Sequence, residues 1–229
     1  MVRDSLAGLG AAAFGLLLAI RILDGSVNAL VQSWYTPILE GSALVLVLLG
    51  ATVSVRAIRR RDSVRERPRL SSFVNVGLIA APLVLGLLLK PEPLAGKNLD
   101  TRDTNQRQFS RTAGGSDPIQ RNVYGWAYVF ATDPPSSIVG QAVDVTGFVH
   151  HSKDQPADQF SVARFVVACC VADAAGYTLP VQWKSAAALK DDGWVRIKGK
   201  VALGGFGQPL IQADSVEAVA TPDNPYIYP

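Results

Sequence analysis

The hydrophobic pattern changes character twice along the chain. Residues 6–23 (LAGLGAAAFGLLLAIRIL), 38–55 (ILEGSALVLVLLGATVSV) and 72–89 (SFVNVGLIAAPLVLGLLL) are near-continuous apolar runs. A helix rises about 1.5 Å per residue, so about 20 residues cross the hydrocarbon core of a bilayer. Each run is close to that length, and together they predict three transmembrane helices in a membrane domain spanning 1–90. Arg21 breaks the first run only near its end, where a long side chain can snorkel toward the headgroups. A signal peptide could imitate this run, but no small-x-small cleavage pattern follows Leu23.

Residues 91–120 (PEPLAGKNLDTRDTNQRQFSRTAGGSDPIQ) are poor in large apolar side chains and rich in Pro, Gly, Asp and Asn, which predicts a flexible linker. From 121 the pattern becomes short and alternating. NVYGWAYVF (122–130) fits a short helix or an extended segment equally well. VDVTGFVHH (143–151) alternates between a Val143, Val145, Gly147, Val149 face and an Asp144, Thr146, Phe148, His150 face, as a half-buried strand does. FSVARFVVACCVA (160–172) is apolar on both faces, as a central strand is. TLPVQWK (178–184) follows the turn residues Ala175 and Gly176, WVRIKGKVAL (194–203) alternates again, and PLIQADSVEAVA (209–220) completes five strands.

Glycines recur at matching places in the first and fourth strands (VDVTGFV, VRIKGKV) and allow the coiling that a closed barrel demands. The fold class is therefore a three-helix membrane anchor followed by a small all-β, OB-like barrel over 121–229, with an open sandwich as the second choice.

Charge adds an orientation. Up to residue 90 there are ten Lys/Arg against five Asp/Glu; beyond it, twelve against fourteen. The loop RAIRRRDSVRERPR (56–69) holds seven arginines and two acids, which places it in the cytoplasm. The N-terminus is then also cytoplasmic. The link 24–37, with Trp34 and Tyr35 as interfacial anchors, and everything past Lys90 lie outside. Nucleic acid is an unsuitable partner for a barrel domain that is slightly acidic; the bilayer is the evident one.

Candidate chemistry is sparse. Cys169 and Cys170 are the only cysteines, and an adjacent pair cannot staple distant parts of a fold. With Asp173 and His150 they form the one group of metal-ligand types, suited to a zinc-type ion. On a regular strand, however, neighbouring side chains point to opposite faces, so convergence requires the strand to bulge or end there. Core packing, metal binding and thiol redox chemistry all stay open for the pair. Glu40 lies within the second run, where an ionisable group is costly and marks either a functional site or an interfacial position three residues after Pro37. Arg164 interrupts the apolar strand and suggests an ion pair with Asp173 or Asp144. No P-loop, Rossmann glycine pattern, G-x-S-x-G or H-E-x-x-H occurs, and nothing argues for an enzyme.

The stretch from VDVTGFV (143–149) through FSVARFVVACCVADA (160–174), with DGSVNALVQSWYTP (24–37), resembles the YcgQ-like bacterial membrane proteins. The resemblance implies a subunit working beside a larger multi-span permease, with Arg164, Phe165, Cys169, Cys170 and Asp173 as motif positions. The linker 91–120 and the His150-His151 pair depart from that pattern. The resulting expectation is a non-enzymatic accessory subunit without a cofactor, the alternative being an exoplasmic metal-binding or thiol-redox module.

Overall fold

The computed structural model describes residues 2–59, 70–89, 91–99 and 117–228. The arginine-rich positions 60–69 and the central part of the expected linker, 100–116, lie outside the described residues. The chain divides into two compact units, Met1–Glu92 and Pro93–Pro229.

The first unit is helical, with α1 (Val2–Leu23), α2 (Thr36–Arg59) and α3 (Leu70–Leu88). Helix α2 starts at Thr36-Pro37, where the missing N–H of proline costs nothing, and ends on Arg56 and Arg59, whose charge suits the negative end of the helix dipole. Leu6–Leu23 and Ser33–Arg59 are long and apolar enough to cross a membrane; in α3 the corresponding described stretch is the shorter Val76–Leu88.

Small residues bring α1 and α2 together. A Cβ on Gly50 would stand 2.5 Å from the Ala12 nitrogen and the Gly8 oxygen, and one on Gly15 would stand 2.7 Å from the Ala43 oxygen. Gly8 meets Gly50 and Ser54 while Gly15 meets Ala43, so the two helices run antiparallel. In contrast, Gly10 faces Ile79 and Gly86 faces Leu17, which makes α1 and α3 parallel.

The second unit is a closed five-stranded barrel in the order β1-β2-β3-β5-β4, comprising β1 (Ala142–His150), β2 (Gln159–Val166), β3 (Ala175–Gln182), β4 (Trp194–Leu203) and β5 (Pro209–Ala218). All pairs are antiparallel except β3 with β5. Val143, Val145, Val149, Phe160, Val162, Leu179, Val181, Val195, Ile197, Val201 and Ile211 fill its interior. The two strand glycines mark close approaches. A Cβ on Gly147 would lie 2.5 Å from the Ala163 oxygen, and one on Gly199 would strike the Gln212 backbone, beside the register shift at Lys198/Gly199.

One choice left open by the sequence is decided and two expectations are corrected. Residues 122–130 belong to a helix, α5 (Val123–Thr132), capped by Asn122, whose side chain accepts from the Gly125 N–H at 2.9 Å. Its Val123 and Trp126 are fully buried in the barrel core, and Tyr124 packs edge-on against Tyr177. The apolar run 160–172 is not one strand: β2 stops at Val166, and Ala175-Gly176, expected as a turn, opens β3 instead. Finally, the first part of the expected linker is built into the barrel unit, with a single-turn helix α4 (Gly96–Leu99).

Leu99 is buried in a second apolar cluster with Phe148, Ala163, Phe165, Val167 and Tyr226, against which Leu94 also packs. The Leu94 N–H donates to the Tyr226 hydroxyl at 3.1 Å, and the Gly96 N–H to Asp192. Few apolar residues of this stretch suffice because Phe148 of β1 and Ala163 and Phe165 of β2 line the cluster from the barrel side.

Candidate functional site

The turn that replaces the end of the expected second strand contains the motif cysteines. After Val166 the backbone leaves the sheet, and a 3-10 turn forms over Val171–Asp173. The Asp173 carboxylate organises this turn. It accepts from the backbone N–H of Ala168 at 2.8 Å, Cys169 at 2.8 Å and Cys170 at 3.2 Å. A short carboxylate side chain that satisfies three N–H groups locally gives the chain an alternative to the strand ladder. Desolvation pushes the Asp173 carboxyl up, but the bonds from the Cys169 thiol and these three N–H groups outweigh it and hold the group below the ordinary carboxylate value.

Because the strand has ended, the cysteines are free of its alternation. Their sulfurs lie 3.7 Å apart, and both are half-buried beside the exposed Asp173. One ligand atom from each of Cys169, Cys170 and Asp173 lies within 4.8 Å of the other two. The hydrogen bond to Asp173, and then that to Cys170, pushes the Cys169 thiol up to about 11. A thiol so raised is almost wholly protonated at neutral pH and is a poor nucleophile.

The other sequence candidates lie elsewhere. His150 ends β1 with its Nδ1 beside Gly96, outside the three-residue group. Its neighbour His151 contacts Asp191 Oδ1 at 2.8 Å through Nδ1 and the Ala186 carbonyl at 3.1 Å through Nε2. Arg164 makes neither expected ion pair. Its Nη2 donates to the Asn224 carbonyl at 2.8 Å, its Nε donates to the Pro225 carbonyl at 3.2 Å, and the guanidinium stacks over Trp194. Asp144 pairs with Arg196 instead, through bonds of 2.7 and 2.8 Å. Phe165 is buried and stacked on Phe148. Two of the motif residues thus secure the C-terminal segment, whose Ile227 exchanges backbone bonds with Phe165 and Val167.

In the helical unit, Glu40 is exposed on α2 and lines a cavity of about 310 Å³ with Ala19, Ile22, Leu23, Ala43, Leu44 and Val47. Arg21, expected to snorkel, is held by protein groups. It bonds Asp24 at 3.1 Å, and its Nη2 caps the carbonyls of Gly86, Leu87 and Leu89 at 2.7–3.2 Å, where α3 ends. The alternation of apolar residues could not reveal this role, nor that of Tyr226. The only sequence signal was the aromatic pair Tyr226 and Tyr228 in a proline-rich tail.

Comparison with known proteins agrees with the motif. The UPF0703 protein YcgQ of Bacillus subtilis (strain 168) is 27% identical over 99 residues, which is 41% of this chain and 35% of that protein. The match therefore spans about a third of that relative's length. The family described as the DUF1980 C-terminal domain matches residues 100–229, which take in the whole barrel and its tail. The motif, the relative and a family match over more than half of its length place the chain in the DUF1980 C-terminal domain family, among YcgQ-like proteins.

Proposed function

We propose that this protein is a non-enzymatic, membrane-anchored accessory subunit that presents an OB-type barrel outside the membrane, beside a multi-span permease. The observation that carries the reading is the way the helices pack. Large side chains such as Leu9, Leu16, Leu44, Leu48 and Leu49 are more than half exposed, while glycines and alanines fill the α1/α2 interface. Membrane helices associate through small residues in this manner.

Helix α3 counts as the third span in this reading. It runs parallel to α1, as the third pass of an alternating bundle must, and its 19 residues extend about 28 Å at 1.5 Å each. Three spans with the arginine loop 56–69 in the cytoplasm put the barrel on the outer side. The strand order β1-β2-β3-β5-β4, with β3 and β5 parallel, supports the OB-type description. Such a bundle suits holding a domain next to a partner better than conducting by itself.

Fusion of alkaline phosphatase or green fluorescent protein after Pro229 tests the orientation. Phosphatase activity without fluorescence is expected, and the reverse pattern overturns it. Purification of the full chain from its native membrane in mild detergent tests the accessory role: a multi-span protein should co-purify. A lone monodisperse protein defeats the proposal.

A further inference from the structure

Anchoring does not account for the turn between β2 and β3, where two thiols and a carboxylate converge although adjacent residues of a strand would diverge. A Zn–S bond of about 2.3 Å sets about 3.8 Å between two sulfurs on one tetrahedral ion. The Cys169 and Cys170 sulfurs lie 3.7 Å apart, so they already have that spacing. A carboxylate oxygen of Asp173 lies within 4.8 Å of both. Its three backbone N–H partners hold it in place, as ligating carboxylates are held by surrounding hydrogen bonds.

We infer that Cys169, Cys170 and Asp173 form a site for one divalent cation of the zinc class, with its fourth position open to solvent. Two thiolates and one carboxylate are a borderline-soft donor set, which suits zinc and excludes magnesium or calcium, whose ligands are oxygens. Each thiol gives its proton to bulk water as its sulfur bonds the ion, and no oxidant or reductant takes part. The hydrogen bond that Asp173 accepts from the Cys169 thiol is given up as that proton leaves, and the carboxylate turns to the cation instead. Because the carboxylate is exposed and the sulfurs half-buried, the ion can take a fourth ligand from outside and can be exchanged. His150, beside Gly96, is not a ligand.

The site is independent of the accessory role, and its test reads neither topology nor partners. The full chain in detergent, reduced and then freed of reductant, is titrated with Co2+ alone and afterwards with Zn2+. The inference requires a thiolate-to-cobalt charge-transfer band that saturates at one ion per chain and is bleached by Zn2+. Cys169→Ser and Cys170→Ser should each abolish the band while leaving the far-ultraviolet circular dichroism unchanged. The wild-type titration is decisive even if a variant fails to fold. A folded, reduced wild-type protein without the band overturns the site, and so does a band that survives both serine variants.

Discussion

The two units of this chain place their large apolar residues in opposite ways. In the helical unit Leu9, Leu16, Leu48 and Leu49 are exposed and the interface belongs to Gly8, Ala12, Gly15, Ala43 and Gly50. In the barrel unit Trp126, Phe160, Leu179, Ile197 and Ile211 are fully buried, and charged residues such as Arg196, Lys198 and Lys200 lie on the outside of β4. Water drives the second arrangement, because apolar area removed from it is worth roughly 25 cal/mol per Å². In the membrane-anchored reading proposed above, lipid tails offer a leucine nothing it does not find in a protein interior, so close packing of backbones decides the first.

Core truncation should separate the units most sharply. Phe160→Ala empties a fully buried position and should cost the barrel about 3–5 kcal/mol. Leu48→Ala, on an exposed helix position, should change little. Thermal unfolding of the full chain in detergent measures both, and equal losses would break the comparison. Gly50→Leu should act in reverse. Its new Cβ would meet the backbone of Gly8 and Ala12, which cannot yield, so α1 and α2 should part at a cost of about 1–3 kcal/mol. Protease sensitivity of the helical unit should rise while Phe160 stays protected in the barrel.

Arg164→Ala removes two bonds to the C-terminal segment and a stacking contact on Trp194, which should amount to about 1.5–3 kcal/mol. Faster hydrogen exchange at 224–228 is the readout; unchanged protection would mean that Tyr226 and Ile227 hold the tail unaided.

The Asp173 turn should make the barrel acid-sensitive. Its carboxyl is held below the ordinary carboxylate value, so its contribution is present above that range and lost as the pH falls through the lowered value. Asp173→Ala should flatten the acid limb of the stability curve. Cys169 titrates in the other direction. Raised from 9.0 to about 11, its thiol should alkylate slowly at neutral pH and quickly only near that value. The smallest effect belongs to the exposed pair Arg196–Asp144, which a double-mutant cycle should place below about 1 kcal/mol.

Much of the architecture was legible in the chain. Three apolar runs marked where helices form, and alternation at 143–149 and 194–203 marked two strands whose inward faces are the barrel core. The turn was not legible, because FSVARFVVACCVA reads as a continuous strand: nothing local shows that Asp173 will capture the N–H groups of 168–170. Leu94 and Leu99 were likewise unreadable. Two apolar residues in a polar stretch gain significance only from Phe148, Phe165 and Tyr226, which are distant in sequence.

What the sequence determined by itself was the alternation of apolar and polar positions, and hence the helices, the main strands and the charge asymmetry about residue 90. Those follow from local periodicity, which each element carries within its own residues. Only the tertiary structure decided that the motif arginine fastens a tail, that His150 stands apart from the cysteines, and that two adjacent sulfurs point to one place. Such features depend on which distant backbone supplies a partner, and a linear pattern has no term for that.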